Sequence, residues 1–143
     1  MITGDEVERI FIDRFPQLAM WRPPFGRKVY CWDVYYSLPT FEDLEKLILS
    51  SKVPDMKNIE YKNDCDDFTL HFISEARMKV YEDNTIPYQY PLGSCFMRGD
   101  NLIIPHHMAA IAINDIKQCI ILDAMDRSIR LAVDSDDIRF ISV

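Results

Sequence analysis

Apolar residues in the first part of the chain recur every three or four positions, which is the spacing of one buried helix face. Thr3-Gly4-Asp5-Glu6 matches a capping box, in which threonine and glutamate satisfy free backbone N–H groups at a helix start. A short amphipathic helix is therefore predicted over residues 4 to 15. A second capping residue, Thr40, predicts another helix that ends at Ser50-Ser51. Its buried side should carry four apolar residues: Phe41, Leu44, Leu47 and Ile48.

The third predicted helix begins at Cys65 and ends near Tyr81. Five apolar residues form its buried face: Phe68, Phe72, Ile73, Ala76 and Val80. Asn63 or Asp64 can cap its first turn. Free N–H groups and the helix dipole favour a thiolate at such a position. Cys65 therefore lies where a cysteine nucleophile belongs, although a small buried residue would suit the same place.

After Pro91 the pattern changes to short segments of strand-forming residues separated by polar turns. Five strands are predicted: Leu92 to Met97, His106 to Ile113, Gln118 to Met125, Ser128 to Ala132 and Ile138 to Val143. Val29 to Tyr36 predicts one more short strand. Helices come first and an antiparallel meander follows, which is the α+β pattern.

The length of 143 residues predicts one domain, spanning 1–143. A net charge of −7 argues against a nucleic-acid partner, and no apolar run is long enough for a membrane span. The acidic N-terminus does not resemble a signal peptide, so we expect a cytoplasmic protein with reduced thiols. The four cysteines, Cys31, Cys65, Cys95 and Cys119, form no close pair and so no CxxC motif.

Three histidines are candidates to activate Cys65. His71 lies on another face of the same helix, whereas His106 and His107 open a predicted strand and point to its two sides. If the following hairpin centres on Asp115, His107 faces Asp123 directly. A carboxylate in that apolar strand needs a partner. A slip of one residue would favour His106 instead, and Asp123 could alternatively face water at the strand end.

Three segments together resemble the papain-like fold: Asp64-Cys65-Asp66-Asp67-Phe68, His106-His107-Met108-Ala109 and Leu122-Asp123-Ala124. More narrowly, they are similar to small cysteine-peptidase domains related to the C-terminal domain of certain fungal agglutinins and to phage-encoded proteins. The resemblance implies an α+β, papain-like (transglutaminase-like) fold. In that fold N-terminal helices, including the Cys65 helix, pack on a C-terminal antiparallel sheet.

The same resemblance implies a thiol-dependent peptidase or amidase that works through a thioester. Cys65 would be the nucleophile, His107 the general base and Asp123 the group that orients the imidazole. The substrate would be a peptide or amide, and no cofactor is expected. Three departures from the family pattern also allow a degenerate member that binds without catalysis: His106 in place of a glycine, Ala110 in place of an asparagine and Asp123-Ala124 in place of Glu-Pro.

A third possibility is a metal site with Cys65, His106, His107 and an acid as ligands. Adjacent histidines on one strand point to opposite faces, which makes joint ligation awkward. Asp66, Asp67 and the run 134–137 offer oxygen ligands but match no calcium loop. We therefore expect no bound metal, and the oligomeric state is left open.

Overall fold

The computed structural model describes residues 1–19, 28–56, 65–98 and 107–143. Within these ranges there are three α-helices, namely α1 (Gly4–Arg14), α2 (Phe41–Leu49) and α3 (Cys65–Glu82). The strands are β1 (Ile2–Thr3), β2 (Val29–Tyr30), β3 (Tyr35–Tyr36), β4 (Leu92–Met97), β5 (His107–Ile113), β6 (Cys119–Asp123), β7 (Ser128–Leu131) and β8 (Ile138–Ser142).

The three predicted helices are confirmed, because local sequence chemistry defines their ends. Thr3 and Glu6 form the predicted capping box of α1, and Thr40 forms a second one with Asp43 at the start of α2. In α3 the predicted face is buried at Phe68, Phe72, Ala76 and Val80. One detail differs, since Phe41 in the first turn of α2 is 37% exposed rather than buried. The proposed caps Asn63 and Asp64 lie outside the described residues.

The predicted antiparallel sheet is wrong, because the main sheet is mixed. Its six strands lie in the order β2-β8-β4-β5-β6-β7, and β2 is parallel to β8. The segment predicted as a single strand over 29–36 is divided between two sheets, since β3 pairs with β1 instead. The main sheet therefore includes an N-terminal strand, and the last strand lies between β2 and β4.

Close backbone packing explains why β8 can lie beside β4. A Cβ atom on Gly93 would lie 1.8 Å from the carbonyl oxygen of Ser142, so only glycine fits there. Parallel pairing of β2 is secured by hydrogen bonds from the Ile141 N–H to the Lys28 carbonyl and from the Val143 N–H to the Tyr30 carbonyl, both 2.8 Å long. Short, non-local contacts of this kind leave no periodic signal in the sequence.

Each face of the main sheet has its own hydrophobic core. Ala109 and Ile111 of β5 pack with α1 residues such as Phe11 on one face. Alternating residues Ala110 and Ala112 pack with α2 and α3 on the other face. Among the described helices, none is long and apolar enough to cross a membrane.

Candidate functional site

The described part of α3 begins at Cys65, which is half-buried. The Thr69 hydroxyl lies 2.7 Å from the Cys65 carbonyl oxygen and 3.1 Å from the Met108 carbonyl oxygen, so that its hydrogen bond is shared between helix and strand. Thr69 is itself buried. This contact fixes the first turn of α3 against the beginning of β5, which is the element that carries His107.

The predicted pairing of His107 with Asp123 is confirmed, at 2.9 Å between Nε2 and Oδ2. The predicted register is wrong by two residues, because Ala110 lies opposite Leu122 and the imidazole reaches Asp123 diagonally. The hydrogen bond to Asp123 raises the pKa of His107 above its usual value, against an opposing effect of burial. The same bond lowers the pKa of Asp123, whose other oxygen accepts the Met125 N–H at 2.9 Å.

Cys65 does not join this pair in the described structure. No hydrogen bond connects its sulfur with the His107 ring, although both residues are described. Strand alternation places His107 on the face of Ala109, whereas α3 packs on the face of Ala110. His106 lies outside the described ranges. The catalytic roles of Cys65, His107 and Asp123 stay a prediction.

Metal ligation by these residues finds no support in the described ranges. There, no group of three or more histidine, cysteine, aspartate or glutamate side chains is arranged to hold a metal ion. Of the carboxylates in the run 134–137, Asp134 pairs with Arg14, Asp136 with Arg130 and Asp137 with Arg139. These acids are engaged in ion pairs on the surface.

A second candidate site is a row of four aromatic side chains that crosses β2, β8 and β4, and we call it the aromatic row. It consists of Trp32, Tyr30, Phe140 and Phe96, in that order. The ring centroids are 6.3, 5.6 and 6.3 Å apart from one member to the next. Neighbouring strands of a sheet are about 4.8 Å apart, so residues on adjacent strands naturally form such a row.

Trp32 is the most exposed member of the aromatic row, with 71% of its surface open to solvent. Its position is nevertheless fixed by three contacts. The indole Nε1 donates a 2.7 Å hydrogen bond to the Ser142 hydroxyl, and the backbone N–H bonds to the Val143 carbonyl at 2.9 Å. The indole also stacks on Tyr30 with 23° between the ring planes. A large aromatic surface thus faces water while its polar groups are hydrogen-bonded to the end of the chain.

A cavity of about 410 Å³ adjoins the Trp32 end of the aromatic row. It lies between the start of α1 and the segment 29–35, and three carboxylate residues, Asp5, Glu8 and Asp33, contribute to its lining. Asp33 also pairs with Arg77 at 3.0 Å. Hydrogen-bond acceptors therefore lie beside the exposed indole.

The sequence places Tyr30 and Trp32 in the predicted strand over 29–36, Phe96 in the strand over 92–97 and Phe140 in the strand over 138–143, and it predicts no contact among them. The row depends on the order β2-β8-β4, which brings residues more than a hundred positions apart into contact. Each of Phe96 and Phe140 is the one aromatic residue in its strand, so no local pattern marks either as part of a row.

No known protein family matches the sequence, and no curated protein does. Solved structures with a similar fold exist. One, titled as a PSL1a–E64 complex, has a TM-score of 0.79 at 16% identity, covering 99% of this chain and 51% of its own. Another is Polyporus squamosus lectin bound to Neu5Acα2-6Galβ1-4GlcNAc, with a TM-score of 0.76 at 15% identity and coverages of 99% and 49%.

These comparisons correct several predictions made from the resemblance. A papain-like cysteine peptidase was expected, whereas the similar structures are of a lectin and neither title names a peptidase. The same finding corrects the prediction of a thiol-dependent hydrolase that acts on a peptide or amide substrate. It also corrects the alternative prediction of a degenerate papain-like binding protein. The named ligand of the lectin is a glycan. At this identity the comparison shows fold alone: this chain is similar in structure to about half the length of a lectin chain.

Proposed function

We propose that this chain is a carbohydrate-binding module whose ligand stacks on the aromatic row. A single observation carries the proposal: the Trp32 indole is 71% exposed, yet it is held in place by Ser142 and Tyr30. Large exposed apolar surfaces on a folded protein commonly mark binding sites. Because the indole is already ordered, little conformational entropy is lost when a ligand covers it.

The chemistry of a pyranose ring fits such a surface. One face of the sugar presents C–H groups, which pack against the face of an aromatic ring, while its hydroxyl groups point outward toward water and polar side chains. The carboxylates that line the adjoining cavity can accept hydrogen bonds from those hydroxyl groups. Aromatic faces with a few polar groups at the edge are typical of small-ligand sites.

The similar lectin structure supports the same class of ligand, since its title names a bound trisaccharide. This chain spans about half the length of that lectin chain. The aromatic row of this chain is therefore the proposed binding surface, and the glycan named for the lectin is the first one to test.

Calorimetric titration with a panel of oligosaccharides, including Neu5Acα2-6Galβ1-4GlcNAc, tests the proposal. We expect at least one glycan to bind, and we expect Trp32→Ala to weaken binding about tenfold or more, because one stacked aromatic contact contributes roughly 0.5–1.5 kcal/mol beyond its buried area. Tyr81→Ala is the matched control, since Tyr81 is an equally exposed aromatic residue at 76% and lies on α3. A panel without any binder, or equal binding by Trp32→Ala and the unaltered protein, would contradict the proposal.

A further inference from the structure

The lining of the cavity beside Trp32 continues into a second exposed aromatic surface. Trp32, Val34 and Tyr35 all contribute to that lining, and all three are exposed, Tyr35 at 42%. The Tyr35 ring packs on that of Tyr88, with 5.6 Å between the ring centroids and 43° between the ring planes. Tyr88 is itself 40% exposed. We call Tyr35 and Tyr88 the tyrosine pair, and exposed apolar surface extends from the indole to it.

Backbone pairing holds both members of the tyrosine pair. Tyr35 lies opposite Thr3 in the antiparallel pairing of β3 with β1. The Tyr88 N–H donates to the Ser37 hydroxyl at 3.2 Å, and the Ser37 N–H donates to the Gln89 carbonyl at 3.0 Å. Because this backbone is already hydrogen-bonded, little further ordering is needed when a ligand binds.

In the described parts of the chain, no hydrogen bond engages the hydroxyl group of either member of the tyrosine pair. Buried Tyr36 differs, since its hydroxyl accepts the Asp33 N–H at 3.0 Å and donates to the Val143 carbonyl at 3.3 Å. A phenol combines an apolar face with a hydroxyl that can donate and accept. The tyrosine pair can therefore both pack against the C–H face of a sugar and hydrogen-bond to its hydroxyl groups.

The tyrosine pair is also within reach of a sugar chain that begins at Trp32. Tyr35 follows Trp32 by three positions, so their backbones are at most about 11 Å apart. The aromatic row leads the other way, to Phe140 and Phe96, whose rings carry no hydrogen-bonding group. Every unit of an oligosaccharide presents hydroxyl groups, so the cavity with its carboxylates and phenols suits the next sugar better.

We propose that the tyrosine pair is a second sugar subsite, an inference that rests on the carbohydrate-binding function proposed above. One unit of an oligosaccharide stacks on the Trp32 indole, and another occupies the cavity and packs against Tyr35 and Tyr88. The cavity volume of about 410 Å³ lies within the range of about 300–1,000 Å³ that is common for small-ligand sites. The ligand is therefore an oligosaccharide of at least two pyranose units, and a single sugar fills only part of the site.

Calorimetric titration with GlcNAc, its β1-4-linked dimer and its trimer tests the second subsite. GlcNAc is one unit of the glycan named for the similar lectin. All units of this series are identical and uncharged, so only the length changes. We expect the dimer or the trimer to bind about tenfold more tightly than the single sugar, because a second stacked contact forms.

Variants of the tyrosine pair should remove this gain in affinity. Tyr88→Ala, and likewise Tyr35→Ala, should bring the dimer and trimer to the affinity of the single sugar, whereas Trp32→Ala should weaken binding of all three. Tyr88→Phe keeps the ring and should keep most of the gain. Tyr81→Ala is the matched control, because Tyr81 is an exposed tyrosine on α3.

Phe96→Ala distinguishes the two directions in which the sugar chain could extend. If this variant removes the gain and Tyr88→Ala does not, the further units lie along the aromatic row, which overturns the second subsite and leaves carbohydrate binding intact. Equal affinity for all three lengths, or no binding by any of them, overturns the second subsite as well. Failure of the wider oligosaccharide panel to bind overturns both proposals together.

Discussion

Gly93 on β4 lies in close contact with the backbone of the chain's last two residues. Its absent side chain allows the carbonyl of Ser142 and the Cα of Val143 to approach, since a Cβ would lie 1.8 Å and 2.5 Å from their respective atoms. Ser142 and Val143 also hold Trp32 in place. The Ser142 hydroxyl accepts a hydrogen bond from the Trp32 indole, and the Val143 carbonyl accepts one from the Trp32 backbone N–H. One glycine thus supports the strand order and the position of the indole.

Gly93→Ala should destabilise the protein by at least about 2 kcal/mol, because the clash is with backbone atoms that cannot rotate away. Urea unfolding followed by circular dichroism measures the change, with Ser128→Ala on exposed edge strand β7 as the control. A variant as stable as the unaltered protein would mean that β4 and β8 are not in this contact.

The His107–Asp123 pair predicts a pH dependence of stability. The pKa of His107 is raised in the folded state, so its stabilising effect is present below the unfolded value of about 6.5 and is lost as pH rises through the folded pKa. The pKa of Asp123 is lowered in the folded state. Its stabilising effect is therefore present above its unfolded pKa of about 3.9, and it is lost as pH falls through the folded pKa. Both groups are therefore charged and paired in mildly acidic solution.

His107→Gln should accordingly lower the free energy of unfolding more at pH 5 than at pH 8.5. The difference should be below about 1 kcal/mol, because the two side chains are 34% and 28% exposed and solvent screens their attraction. Urea unfolding at the two pH values measures it, and His71→Gln on the exposed side of α3 serves as the control. The same loss at both pH values would show that the pair is held without charge.

At the scale of elements, the helices begin where short side chains satisfy their first N–H groups. In α2 the Thr40 hydroxyl accepts the Asp43 N–H at 3.1 Å, and the Asp43 carboxylate accepts the Thr40 N–H at 3.0 Å. Thr40→Ala should cost about 1 kcal/mol of unfolding free energy, whereas Thr40→Ser, which keeps the hydroxyl, should cost little. Thermal unfolding of the two variants distinguishes them, and equal melting temperatures would contradict a role for the cap.

Elements whose bounds depend on residues close in sequence could be predicted. Strand pairings between segments far apart in sequence could not. The capped helices and the bounds of β4 follow from neighbouring residues. The β5–β6 register was missed because the turn places Lys117 at a φ of +60° without a glycine to signal it. The pairing of β2 with β8 joins two segments that are far apart in sequence. Neither the mixed sheet nor the aromatic row could therefore be predicted from the sequence.

At the scale of the whole molecule, the proposed binding surface is one face of the main sheet, at the β2 side. There the aromatic row and the adjoining cavity lined by carboxylates lie together. The His107–Asp123 pair joins β5 to β6, away from the strands that carry the aromatic row, and we expect it to contribute to stability. The residues of the predicted catalytic site make separate contacts in the structure. The Thr69 hydroxyl bonds to the Cys65 carbonyl, and His107 bonds to Asp123.

The most direct measurement is the fluorescence of Trp32 during titration with oligosaccharides. The chain has two tryptophans, so Trp21→Phe leaves Trp32 as the one indole that reports. If a sugar stacks on the aromatic row, Trp32 emission should shift to shorter wavelength and saturate with glycan concentration, because the ligand removes water from an indole that is 71% exposed. Saturable glycan binding measured by calorimetry with no change in this emission would place the sugar elsewhere and contradict the account.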